Sequence, residues 1–549
     1  MMRASLGVYE QLELSLDRAI AFVLAHRSTE GRLIGGCSGR ALESALVLHL
    51  FRRTDHAPQL HAGLAAFCHR ALLQDPAELS HASQLDRRLS DVICELVLDG
   101  GLGPSGLTAL GRALTAFDHP TLWRKRVLIE VVLAELGGLP PCASPLPPTV
   151  VGAGSAHLWV SILLASLRIL QLCHLDRPHE VGEQEIAGLV ATQSTDGSWE
   201  QHLLVTCIVL LALTRLGRAP GACALGLRFL AGQLRPEGGI PFITNEDVWI
   251  SCLGSMVLAE ARVPAPELLA TEHYLVQLQQ PDGGWAYAEG VTQTDADDTS
   301  VSLTLLARRS PTLHLSPVRR AVAYLLALQN TDGGFPTFVR GAASDAEITA
   351  KAIVALQSSG IGPPDVIAAA WSWLAQAQQT DGGFRGEWKL CVTYPALHVI
   401  NAAVGQHPGS RPAQVRRRCV AFLRNLRRRD GGWPIHPDDR SSHALSTAYA
   451  LGGLSACLGS LTSRELYDSI WALLAAQSPD GGFRASGDSL GPRPFVYDVP
   501  ILATIYSIWA LARVRDLLAG RANEVPFGTV IRPARVSTPA PLPALGILT

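Results

Sequence analysis

One mark, repeated at a fixed interval, constrains this chain more than any other feature. It reads QSTDGSW (Gln193–Trp199), QQPDGGW (Gln279–Trp285), QNTDGGF (Gln329–Phe335), QQTDGGF (Gln378–Phe384), RRRDGGW (Arg427–Trp433) and QSPDGGF (Gln477–Phe483). From Asp282 through Asp332, Asp381 and Asp430 to Asp480 the steps are 50, 49, 49 and 50 residues. A period that regular means stacked supersecondary units. A helical apolar run precedes each mark, as in VRRAVAYLLALQ. A glycine turn and an aromatic follow, then a polar loop and a second apolar run such as EITAKAIVALQSSG. Apolar residues recur every three to four positions, so both runs are amphipathic helices. Two helices per repeat predict an all-α chain built as an α/α barrel, with inner helices around a central cavity. The mark itself reads as a structural clip: the glutamine amide caps a helix end and the ring packs on it.

The first half is helical with worn repeats. QLRPEGGIPF (Gln233–Phe242) is a decayed mark, and GLPPCASPLPP (Gly138–Pro148) is a Pro-rich break. The expected organisation is an N-terminal helix at 1–24 packing on the C-terminal barrel, a helical barrel at 25–265, a second at 266–522, and a Pro-rich tail at 523–549. With 48% hydrophobic residues and a net charge of −2, the chain has a large core and no electrostatic pull toward nucleic acid. Its eleven cysteines include no CxxC pair, which argues for reduced thiols and a cytoplasmic setting. The N-terminus does not read as a signal peptide, and no apolar run reaches the roughly 18–20 residues of a membrane span. Peripheral membrane contact stays open. So does the choice between monomer and homodimer. Lysine is rare: of 46 basic residues only Lys125, Lys351 and Lys389 are lysines.

Chemistry concentrates in TQTDADDTSVSLTLLARR (Thr292–Arg309), where Asp295, Asp297 and Asp298 fall within four residues at the start of a helix. Asp and Thr are ordinary N-cap residues, and acids favour the positive end of a helix dipole. Capping does not need three acids. Crowded carboxylates raise one another's pKa and hold a proton at neutral pH, while a helix N-terminus stabilises the conjugate base. That combination suits protonation of an alkene. Asp clusters also bind Mg²⁺ with a diphosphate.

DADDTS after DGGWAYAEGVTQT resembles the DxDD signature of class II terpene cyclases, the group of squalene–hopene cyclases and bacterial class II diterpene cyclases. The DGGW and DGGF marks are similar to the QW repeats of that family. NEDVWISCLGSMVLAEA, DGGFRGEWKLCVTYPALH and PRPFVYDVPILATIYSIWAL resemble its segments before and after the acid motif. The likeness covers about residues 190–515. It implies two α-helical barrel domains, called β and γ, with the active site between them. Asp297 would be the general acid that protonates the terminal alkene of an isoprenoid, flanked by Asp295 and Asp298. By position, Trp249, Tyr287, Trp388 and Tyr394 would line the cavity and stabilise a migrating cation through their π faces, each by roughly 0.5–2 kcal/mol. Lys351, in AEITAKAIVAL, occupies the place where squalene cyclases carry a histidine. It pairs with Asp295 or Asp298, lowers the pKa of Asp297, or points away.

The resemblance implies a prenyl diphosphate substrate, geranylgeranyl diphosphate first and farnesyl diphosphate second, cyclised to a bicyclic diphosphate with the diphosphate retained. Arg385 and Lys389 are the candidate diphosphate cations. Mg²⁺ is expected with the diphosphate, and Glu200 is its candidate ligand. Three alternatives stand beside this reading: a squalene-type cyclase, an inactive cyclase-like binding protein, and a prenyltransferase-like subunit. The last would need zinc, for which Asp297, Cys391 and His398 are the candidate ligands.

Overall fold

The computed structural model describes residues 2–73, 84–101, 104–152, 157–309, 314–457 and 459–520. The Pro-rich tail expected at 523–549 lies outside them. The all-α expectation holds: helices carry the fold, and among the described residues strands appear only as two-residue pairs such as Ser489–Leu490 with Val496–Tyr497.

In the second barrel, inner helices Asp247–Glu260, Ala296–Arg309, Ala346–Ser359, Thr393–Ala402, Ala444–Ser455 and Ile501–Leu518 each pack on the next, and the last returns to the first. Outer helices Ala265–Leu278, Leu315–Leu328, Pro364–Ala377, Arg411–Leu426 and Ser463–Leu474 cover them. Sequence separates the two rings. Ala444–Ser455 is apolar or small all round and buried from Leu445 to Ser455. Ser463–Leu474 buries only Leu466, Ser469, Ile470 and Leu473, a single stripe at helical spacing. The N-terminal helix Met2–Ala25 takes the remaining outer place, against Ser463–Leu474 and Ile501–Leu518.

The first barrel is an incomplete ring. Ala41–Thr54 packs on Leu203–Leu216, which packs on Leu158–His174. The boundary expected at residue 265 falls too late. Asp247–Glu260 packs against Ile501–Leu518 and Ala296–Arg309, so it belongs to the second ring. The error has a physical source: this helix has no intact mark before it, only the decayed one.

The marks act as clips. Gln329 Nε2 donates to Gly333 O at 2.9 Å and to Val366 O of the next outer helix at 3.0 Å. The aromatic N–H donates to a threonine on the following inner helix, as Trp285 N does to Thr299 Oγ1 at 3.0 Å. The Trp285 indole N–H caps Leu275 O at 2.7 Å. At the fifth mark Arg427 does the work of glutamine, donating to Glu465 O at 3.0 Å. The last clip closes the ring on the N-terminal helix: Gln477 Nε2 donates to Ser15 O at 2.9 Å, and Ser15 Oγ returns a bond to Gln477 Oε1 at 2.8 Å. The first glycine of the mark is compulsory. Gly283 has φ +93°, and a Cβ there would stand 2.6 Å from Arg320 O.

Candidate active site

A chamber of about 900 Å³ opens between the barrels. The first barrel contributes Trp159, Glu200, His202 and Phe242, and the second contributes the acid cluster and most of the rings. All four aromatics expected by position, Trp249, Tyr287, Trp388 and Tyr394, line it.

The acid-bearing segment is fixed on three sides. Glu200 accepts Gln293 N–H at 2.9 Å, Thr292 N–H at 3.2 Å and the Thr292 hydroxyl. Thr294 Oγ1 donates to Asp282, the aspartate of the preceding mark, at 2.7 Å. Asp295 N–H donates to Trp285 O at 3.0 Å. A repeat unit therefore delivers the acids to the chamber wall. Asp295 is also the N-cap, since its Oδ1 accepts Asp298 N–H at 2.8 Å. Capping and acid crowding coexist in one segment.

Asp295 and Asp298 are buried side by side. Burial pushes the Asp295 carboxyl up to about 7, against the hydrogen bond from Asp298. Burial and the Asp295 charge push Asp298 far above the carboxylate range. Both shifts favour the protonated forms over two adjacent buried carboxylates. All three acids line the chamber, and Asp297 is the more open, with 17% of its side chain accessible.

Among the open positions for Lys351, the structure selects Asp297. Lys351 Nζ donates to Asp297 Oδ1 at 2.7 Å and Oδ2 at 2.9 Å, and to Tyr394 OH at 2.9 Å. Tyr506 OH donates in turn to Tyr394 OH at 3.2 Å. Burial works against the lysine charge, but Asp297 and Glu347 outweigh it and hold its pKa above the ordinary lysine value. Lys389, also buried, donates to Ser489 Oγ at 2.6 Å and stands 5.2 Å from the centre of the Trp249 ring.

Two expectations are corrected. Arg385 is exposed and donates to Asp118 O at 3.2 Å; it is not part of the chamber wall. Its loop turns it outward while the neighbouring Trp388 and Lys389 turn in. Glu200 lines the chamber, but both oxygens are engaged by the 292–293 segment, so it does not fit a metal ligand. The prenyltransferase zinc set does not assemble either. Asp297 is bound to Lys351, Cys391 Sγ faces His443 Nδ1 at 3.6 Å, and among the described residues no three His, Cys, Asp or Glu side chains gather to hold a metal.

Several site residues escaped the sequence reading. Lys125 is buried beside Pro492, a residue of the chamber wall. Its Nζ donates to Pro492 O at 3.1 Å and lies 5.0 Å from the Phe495 ring centre. All three lysines of the chain are buried; their rarity was the signal, and Lys125 was the one given no role. Glu347 lines the chamber with both oxygens buried and unbonded among the described residues. The repeat register could have found it, because DAEI (Asp345–Ile348) is the next unit's version of DADD (Asp295–Asp298). Glu246 with its Tyr497 partner carried no local signal, since the two are distant in sequence. Among the described residues no helix is long and apolar enough to cross a membrane.

Comparison with known proteins agrees with this geometry. The family model described as Squalene-hopene cyclase C-terminal domain matches residues 342–516, and the Prenyltransferase alpha-alpha toroid domain model matches residues 142–392. The chain is 32% identical over 520 residues to a drimenyl diphosphate synthase of Streptantibioticus cattleyicolor, covering 90% of this chain and 93% of the relative. It is 33% identical over 508 residues to a drimenyl diphosphate synthase of Streptomyces showdoensis, covering 89% and 92%. Among solved structures, ent-copalyl diphosphate synthase from Streptomyces platensis shares the fold, with a TM-score of 0.61 at 19% identity over 92% of this chain and 99% of that one.

Proposed function

The chain belongs to the class II terpene cyclases and acts on a prenyl diphosphate; on that premise we propose that it cyclises farnesyl diphosphate to a bicyclic drimenyl-type diphosphate, with Asp297 as the proton donor. The observation that carries the assignment of the donor is the placement of Asp297. Its carboxyl faces the chamber rings with 17% of the side chain accessible, whereas Asp295 and Asp298, which line the same chamber, are buried. The C15 substrate ranks ahead of the C20 substrate because both full-length relatives are drimenyl diphosphate synthases.

The distal alkene of the folded chain lies against Asp297 and takes its proton, leaving a tertiary cation. The isoprenoid's own double bonds close two rings on that cation. Trp249, Trp388, Tyr287 and Tyr394 face the same space, and their π clouds lower the energy of the moving charge without a nucleophile to trap it. Loss of a proton from carbon ends the sequence. The diphosphate keeps its bond to carbon and lies toward the rim, where Lys125 stands beside Pro492. Magnesium is proposed to arrive with the diphosphate, outside any protein cage, and the proton chemistry of Asp297 does not depend on it.

The test is to incubate the protein with farnesyl or geranylgeranyl diphosphate, treat the products with phosphatase and identify the alcohols. A bicyclic alcohol from farnesyl diphosphate is expected. Cyclisation of geranylgeranyl diphosphate alone would overturn the chain length, and cyclisation of squalene alone would overturn the diphosphate reading.

A further inference from the structure

Lys351 poses a problem that the acid cluster does not solve. Both Asp297 oxygens accept bonds from the buried Lys351 ammonium group, in a close ion pair. A donor must carry its proton when substrate arrives. If Asp297 took up a proton with nothing else changed, Lys351 would become a buried cation without its counter-ion, and that is strongly unfavourable.

The adjoining repeat supplies the missing counter-ion. Helix Ala346–Ser359 begins as Ala296–Arg309 does. Asp345 caps it, its Oδ1 accepting Glu347 N–H at 2.8 Å and Ile348 N–H at 3.1 Å, and Glu347 stands two places on, as Asp297 does after Asp295. Glu347 and Lys351 are one turn apart on the same helix, a spacing that puts them on the same face. The residue is fully buried, lines the chamber, and has both carboxyl oxygens without a hydrogen-bond partner among the described residues. A buried carboxyl with neither oxygen bonded is costly to keep and calls for a role.

We infer that Glu347 is the alternate counter-ion of Lys351 and the store from which Asp297 is loaded. In the resting arrangement Glu347 is a neutral acid and Asp297 a carboxylate held by Lys351. Loading moves one proton in two coupled transfers. A Lys351 N–H bond breaks as an Asp297 O–H bond forms, and the Glu347 O–H bond breaks as the Lys351 N–H bond is restored. Lysine remains an ammonium group throughout, with its ion pair shifted from Asp297 to Glu347. The net charge of the three groups stays at zero, and no outside reagent is consumed. Burial, together with the Asp345 charge, raises the Glu347 pKa well above the ordinary carboxylate value and favours its neutral form. Asp297 becomes a neutral acid facing the alkene, beside an ammonium group that has another partner. Glu347 acts through Lys351, so it is a positioning residue. The inference rests on Asp297 being the proton donor.

A double-mutant cycle on the full chain with farnesyl diphosphate tests it, each variant being checked for its melting transition. Glu347→Gln keeps the shape but cannot accept the ion pair. It should lower kcat about thirtyfold or more with KM changed less than about twofold. Lys351→Met removes the cation, so Asp297 can hold its own proton in the apolar wall; in that background Glu347→Gln should change kcat by less than about threefold. Wild-type kcat in Glu347→Gln would overturn the inference, as would an equal fall in both backgrounds, which is what a merely structural role gives. Should Glu347→Gln fold poorly, Glu347→Asp retains the charge and should stay within about tenfold of wild type; a deeper loss would overturn the inference. Formation of the cyclic product by Asp297→Asn at the wild-type rate would remove the donor assignment, and that outcome is distinct from any involving Glu347.

Discussion

Lys351 Nζ lies 2.7 and 2.9 Å from the two carboxylate oxygens of Asp297, joining one inner helix of the second barrel to the next. The contact is both structural and chemical. It ties the mouth of Ala296–Arg309 to the middle of Ala346–Ser359, and it sets the charge of the group that faces the substrate. Asp297→Asn should therefore have two effects. Product formation should fall about a thousandfold or more with loss of the transferable proton. Stability should also fall, by about 1–3 kcal/mol, because Lys351 keeps only a neutral amide acceptor in a buried place. Turnover assays and thermal melts read the two separately, and turnover near the wild-type rate would remove Asp297 from the mechanism.

With the diphosphate placed beside Lys125, as proposed, affinity for substrate should depend on pH. Burial, reinforced by the neighbouring Arg124 charge, lowers its pKa to about 7. A lysine with a lowered value is charged below that pH and neutral above it, so attraction for the diphosphate is present at pH 6 and lost by pH 9. KM should rise on the order of tenfold across that interval. Lys125→Arg, which stays charged, should flatten the profile, and Lys125→Met should show the high KM at every pH. A flat wild-type profile would place the diphosphate elsewhere.

Glu200 separates scaffolding from metal binding. Glu200→Gln replaces acceptor capacity with an amide whose N–H₂ meets the N–H groups of the 292–293 segment. The acid-bearing segment should loosen and kcat fall about tenfold. The Mg²⁺ concentration giving half-maximal activity should not move. A Mg²⁺ titration of both proteins decides it, and a shift in the variant would restore Glu200 as a ligand.

The clips can be tested away from the site. Gln329→Ala leaves the carbonyls of Gly333 and Val366 without their donor, at a cost of about 1–2 kcal/mol. Gly333→Ala should cost more. Gly333 has φ +90°, and a Cβ there would stand 2.7 Å from Ala369 O, so strain adds to a backbone clash. Denaturant unfolding should rank wild type above Gln329→Ala and Gln329→Ala above Gly333→Ala.

These outcomes also show how far residue order alone carries. The ring of inner and outer helices was legible because its repeat has a fixed period and its clip uses side chains within seven residues. The chamber rings at Trp249, Tyr287, Trp388 and Tyr394 were legible because they lie in segments that resemble those flanking the acid motif in the family. Partner choice was not. Whether Lys351 meets Asp295, Asp297 or Asp298 depends on rotation of two helices about their axes, which is set by packing across the ring. Arg385 and Lys389, four residues apart, ended on opposite sides of one loop for the same reason. Glu347 was readable in the DADD and DAEI register, but its importance lies in unbonded oxygens, which only the packed structure reveals.

The closing clip between Gln477 and Ser15 joins residues far apart in the chain. A nascent polypeptide emerging from the ribosome makes Met2–Ala25 long before the groove that receives this helix, between Ser463–Leu474 and Ile501–Leu518. Throughout translation its apolar stripe of Leu12, Leu16, Ala19 and Val23 has no seat. Completion of the second barrel is therefore a late, long-range event, and the newborn chain depends until then on staying unaggregated with one sticky helix in the open.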